Sequence, residues 1–153
     1  MKRNHNKRWI IPIVLGLLIF LTLAFLWGNS LQSVAQSSRE SRKLLAMLSS
    51  LLEPMLGKGA ITHHFLRKSA HMIEFTLLGI LLSLFVVYSR LARVQAVVNC
   101  LFLGLCVAVA DESLQLLSDR GSQVSDILLD FCGVVLGIAV VLIVRWIRLL
   151  IKK

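Results

Sequence analysis

Three polar groups interrupt an otherwise apolar chain, and their residue types suit proton transfer and anion binding. The first is the stretch Thr62 to Phe75, which holds His63, His64, Arg67, Lys68, His71 and Glu74. On a helix beginning near Thr62, the residues His64, Arg67, His71, Glu74 and Leu78 fall on one stripe, bordered by Lys68. The second is Asp111-Glu112-Ser113-Leu114-Gln115, where Asp111 and Gln115 share a face and Glu112, Gln115 and Asp119 form a neighbouring stripe. The third holds Arg120, Ser125, Asp126 and Asp130. With Ser125 as N-cap, Asp126 lies in the first turn of a helix, where the dipole favours negative charge. Asp126, Asp130, Gly133 and Gly137 then share a face, and the GxxxG spacing lets a neighbouring helix approach closely.

Glu74 and Asp111 are the candidate acid–base residues, with His71 placed to relay a proton. Arg67, Lys68 and Arg120 are the cations that would hold an anionic group or stabilise developing charge on it. Glu112, Gln115, Asp126 and Asp130 complete the candidate ligand-binding set. His71, Glu74, Asp111 and Asp130 offer the ligand types of a divalent ion, but such spacing is common by chance, and the sequence assigns no metal site. No cofactor is expected, because there is no glycine-rich phosphate loop, no GxSxG and no cysteine-rich set. The competing reading is a set of ion pairs that fix helix register: Arg67 or Lys68 with Asp126, and Arg120 with Asp111.

The elements that carry these groups belong in a membrane. Of 153 residues, 57% are hydrophobic and 16% charged, with a mean hydropathy of +0.80. Soluble domains average about 45–50% apolar and about 25% charged, and a small domain cannot bury such an excess. Four apolar runs are expected to span the bilayer, at about 9–27, 70–88, 94–111 and 127–147, within one domain covering 1–153. The first run is too long for a signal peptide and is expected to stay as an anchor. Cys100, Cys106 and Cys132 read as packing residues in these spans. In the loop that follows the first span, Leu44, Leu45, Leu48, Leu51, Leu52, Met55 and Leu56 recur at helical spacing. That pattern predicts an interfacial amphipathic helix in the first outer loop. The fold class is therefore an all-α integral membrane protein with four transmembrane helices.

A net charge of +9 does not mark a nucleic-acid binder, because the basic residues cluster beside the apolar runs. Ten of them, and no acid, lie at the two termini and in the Ser89–Arg93 connection. All eight acids lie on the opposite side, with seven basic residues. The positive-inside rule then places both termini in the cytoplasm and the polar groups at the outer face. A charge at the centre of a spanning helix costs about 2.5–3.5 kcal/mol on insertion scales, so Glu74, Asp111 and Asp130 should point into the bundle.

Arg67-Lys68-x-Ala70-His71-x-x-Glu74-Phe75-x-x-x-Gly79 and Asp111-Glu112-x-x-Gln115 together resemble the VanZ-like family of small bacterial membrane proteins. The second block continues through Arg120, Asp126, Asp130, Gly133 and Gly137, and Asn29-Ser30 also fits the family's pattern. The resemblance covers nearly the whole chain outside the basic N-terminus and much of the Arg39–Gly59 loop. It implies a multi-pass protein of the bacterial plasma membrane and an association with lowered susceptibility to teicoplanin, a lipoglycopeptide antibiotic. The expected partner is a membrane lipid, a lipid-linked cell-envelope molecule or a lipoglycopeptide. Two functions fit: a site that binds or acts on envelope amphiphiles, and a membrane-embedded acid–base hydrolase or transferase, metal-dependent in one variant. The sequence leaves open whether the protein is an enzyme.

Overall fold

The computed structural model describes residues 7–33, 37–39, 42, 45–47, 62–89, 91, 94–118, 121 and 123–152. Four long helices account for most of these: α1 (Lys7–Ser30), α2 (His63–Tyr88), α3 (Val94–Leu117) and α4 (Val124–Ile151). No strand occurs among the described residues. The shortest of the four has 24 residues, about 36 Å at 1.5 Å per residue, which exceeds the ~30 Å hydrocarbon core of a bilayer. Each is long and apolar enough to cross a membrane.

The surfaces of the helices confirm their solvent. Phe20, Leu17, Phe102 and Trp146 are each more than half exposed, as are many other large apolar side chains. In water such a surface would drive aggregation; against lipid tails it costs nothing. The buried core is small and central, formed by Leu26, Phe75, Leu78, Cys100, Ala108, Val134 and Ile138. Cys106 and Cys132 are exposed on outer helix faces, and all three cysteines are free.

α2 and α4 make the most extensive helix–helix contact, and glycine is the reason. A Cβ on Gly133 would stand 2.7 Å from the Met72 carbonyl oxygen. One on Gly137 would overlap the Thr76 carbonyl oxygen, and one on Gly79 the Val134 carbonyl oxygen. The two backbones therefore touch, so the GxxxG stripe is used within the chain. α1 and α3 pack against this pair.

The helices run past the apolar runs at one end. α2 begins at His63, where the stripe from His64 to Glu74 places it and ahead of the apolar span at 70–88, with Thr62 as its N-cap accepting from the Phe65 N–H at 3.1 Å. α3 continues to Leu117 and α4 starts at Val124. The extensions carry polar residues that hydropathy excludes from a span. They remain helical because their side chains meet one another across the bundle. Ser125 is not the N-cap of α4: Gln123 holds that position, and Ser125 lies inside the first turn with Asp126. Residues 37–39, 42 and 45–47 of the first loop are helical, and the remainder of the expected amphipathic helix lies outside the described residues.

Candidate functional site

The helical extensions converge at the end of the bundle formed by the C-termini of α1 and α3 and the N-termini of α2 and α4. Asp111 is 0% exposed and Asp130 1%. One helical turn of spacing explains why both point inward. Asp111 follows Ala108 and Gly104 on the face of α3 turned to Val134, and Asp130 precedes Gly133 on the face of α4 turned to α2.

A hydrogen-bonded chain crosses three helices around Asp111. The Ser30 hydroxyl donates to Asp111 Oδ1 at 2.5 Å, and Gln115 Nε2 donates to Asp111 Oδ2 at 2.9 Å. Arg67 Nη2 donates in turn to Gln115 Oε1 at 2.8 Å. Gln115 uses both ends of its amide, so its orientation is fixed and it passes the charge of Arg67 toward Asp111. The Ser118 hydroxyl donates to the Ser30 carbonyl oxygen at 3.1 Å, which ties the end of α1 to α3.

His71 stands between the two buried acids. Its Nδ1 lies 3.8 Å from Asp111 Oδ2 and 3.9 Å from Asp130 Oδ1. Neither oxygen of Asp130 accepts a hydrogen bond among the described residues. Nearer the end of the helices, Lys68 Nζ pairs with Asp126 Oδ1 at 2.7 Å, with both side chains partly exposed. A small polar cavity of about 10 Å³ opens between Arg67, Lys68, His71, Glu112, Gln115, Asp126, Leu129 and Asp130. That is room for one water-sized group.

The structure thus brings together Arg67, Lys68, His71, Asp111, Glu112, Gln115, Asp126 and Asp130. Glu74 is partly buried on the stripe with His71 but is not among the residues lining this cavity. Arg120 lies outside the described residues, as does Asp119. Of the register pairs, Lys68–Asp126 forms, whereas Arg67 engages Gln115. Glu112 also anchors the connection between α3 and α4. It is 2% exposed, and its Oε2 accepts the Gln123 N–H at 3.2 Å, which joins the end of α3 to the start of α4.

Ser30 is the participant whose role sequence reasoning missed. A hydroxyl at the end of an apolar helix is a weak signal, and only its fit to the Asn29-Ser30 pattern marked it. His63 and His64 are exposed and take no part in the cluster.

No curated protein and no solved structure matches the chain. The sequence profile of the VanZ/LLP1 family matches residues 9–145, a stretch that contains all four spanning helices except their outermost turns and every described residue of the cluster. The chain belongs to the VanZ/LLP1 family.

Proposed function

We propose that the polar end of the bundle is a site for the headgroup of a cell-envelope amphiphile, a membrane lipid or lipid-linked molecule, at the outer face of a bacterial plasma membrane. The observation that carries the reading is the position of Arg67 and Lys68. Both line the polar cavity above two buried acids, and apolar helix faces exposed to lipid lie directly alongside. A ligand with an anionic head and an acyl tail satisfies both surfaces at once. The head would displace Asp126 from Lys68 or share that cation, and Gln115 and Glu112 would fix its orientation. Occupying or altering such a molecule at the outer face would change how a lipoglycopeptide such as teicoplanin reaches its target, which accounts for the family's association with reduced susceptibility.

The enzymatic reading uses the same residues. His71 lies between Asp111 and Asp130 and would relay a proton in hydrolysis or transfer on an envelope lipid, with Glu74 one turn along the same stripe. Its specific support is Asp130, whose oxygens accept no hydrogen bond among the described residues and are available as base or ligand.

The test is teicoplanin susceptibility of a bacterium producing the wild type, Arg67→Glu or Glu74→Gln, with membrane abundance measured by immunoblot. Binding predicts protection by the wild type, loss with Arg67→Glu and retention with Glu74→Gln. Loss with Glu74→Gln at equal abundance favours the enzyme. No protection by the wild type overturns the antibiotic role.

A further inference from the structure

Three ligand-type atoms from three helices meet at the centre of the cluster. His71 Nδ1, one Asp111 oxygen and one Asp130 oxygen all lie within 4.8 Å of one another. Asp130 supplies an independent observation: it is 1% exposed, and both of its oxygens lack a hydrogen-bond donor among the described residues. A buried carboxylate in that condition carries the desolvation of its charge uncompensated unless a proton, a cation or a metal completes it. One of its oxygens faces the imidazole, and its side chain lines the polar cavity.

We propose that His71, Asp111 and Asp130 form a binding site for a divalent metal ion, Zn²⁺ or Mn²⁺. One imidazole with two carboxylates suits these ions. Ca²⁺ and Mg²⁺ take oxygen-only sets, and thiolate-seeking ions find no cysteine here. Ligands about 2.0–2.2 Å from a tetrahedral ion stand about 3.4 Å apart, so the observed 3.8 and 3.9 Å, and an Asp111–Asp130 separation of at most 4.8 Å, close with rotamer adjustments of about 0.5–1.5 Å. The site is already braced. Ser30 and Gln115 hold the Asp111 carboxylate, and Arg67 holds Gln115, which is the outer support that metal-binding carboxylates use. Three protein ligands leave at least one coordination position open, as at catalytic rather than structural metal sites. Glu74, which the sequence offered as a fourth ligand type, stands outside the set.

His71 and Asp130 line the same cavity as Arg67 and Lys68, so a headgroup oxygen in it would lie beside the metal site and both cations. That last step rests on the reading under Proposed function; the metal site itself does not.

The experiment uses the full chain purified in detergent, with Cys106 and Cys132 replaced by serine because exposed thiols bind zinc on their own. The protein is stripped with EDTA, reloaded with ZnCl₂ or MnCl₂, desalted and analysed by inductively coupled plasma mass spectrometry. The expected result is one ion per chain, falling at least tenfold in Asp130→Asn and in His71→Gln, and unchanged in the His63→Gln/His64→Gln double variant. Circular dichroism and gel filtration confirm that each variant is folded. His71→Gln, at a partly exposed position, serves if Asp130→Asn does not fold. No retained ion in the wild-type site overturns the proposal. Retention at full stoichiometry in both site variants overturns it as well, as does loss in the His63/His64 variant. No lipid or antibiotic enters this readout, so a protein that protects cells without retaining metal refutes the metal site and leaves the amphiphile reading standing.

Discussion

α2 and α4 meet in two ways, one turn apart. From Phe75 to Ile80 on α2 and from Gly133 to Gly137 on α4, backbone lies on backbone, and a methyl group added at Gly79, Gly133 or Gly137 would collide with the facing helix. One turn toward the polar end, His71 and Asp130 face each other at 3.9 Å beside a small cavity, and the oxygens of Asp130 accept no hydrogen bond among the described residues. The first region satisfies every demand that packing makes. The second leaves a carboxylate buried with no hydrogen-bond donor among the described residues. Buried ionic groups replaced by apolar ones of similar size are often neutral or stabilising, so the polar end is poorly explained as a device for holding helices together. The difference separates the part of the molecule that makes the fold from the part that uses it.

The comparison breaks most visibly at Gly137. Leucine there would drive a side chain into the Thr76 carbonyl and the Ile80 N–H. Overpacking costs about 1–3 kcal/mol even where side chains can yield, and backbone yields less. Gly137→Leu should lower the Tm of the purified protein by at least about 5–10 °C or abolish the monodisperse gel-filtration peak. An unchanged Tm would mean that the close approach of α2 and α4 contributes little.

A smaller effect sharpens the boundary between the two regions. Ser30 joins α1 to the cluster through its 2.5 Å bond to Asp111. Removing a hydrogen bond to a charged acceptor costs about 1.5–3 kcal/mol. Ser30→Ala should therefore lower Tm by a few degrees and give teicoplanin protection between those of wild type and empty vector, with Ser30→Thr recovering part of it. Full protection in Ser30→Ala would remove Asp111's orientation from the account.

Much of this was legible in the residues. The four spans follow from the apolar runs, and the stripe from Arg67 through His71 and the shared face of Asp126, Asp130, Gly133 and Gly137 from helical spacing. The start of α2 was legible too, since the stripe placed it near Thr62, but the ends of α3 and α4 were not, because hydropathy stops at the first polar residue while the helix continues wherever polar side chains find partners across the bundle. Gln115 shows the same limit. Spacing puts it on the face of Asp111, but only the bundle shows that its amide links Arg67 to that carboxylate. The burial of Glu112 shows it again, since its carboxylate takes the Gln123 N–H at the start of α4. Such pairings join residues far apart in sequence, and no local pattern records them.

The central claim is that the polar end serves function and not stability. Asp130→Asn tests it most directly, since the substitution keeps the shape and breaks no hydrogen bond that the carboxylate oxygens accept. The measurement is Tm of the purified variant and wild type in EDTA, so that bound metal contributes to neither, paired with teicoplanin susceptibility at equal membrane abundance. The account predicts a Tm equal to or above that of wild type, with protection reduced to the empty-vector level. A Tm several degrees lower, or protection equal to wild type, would contradict it.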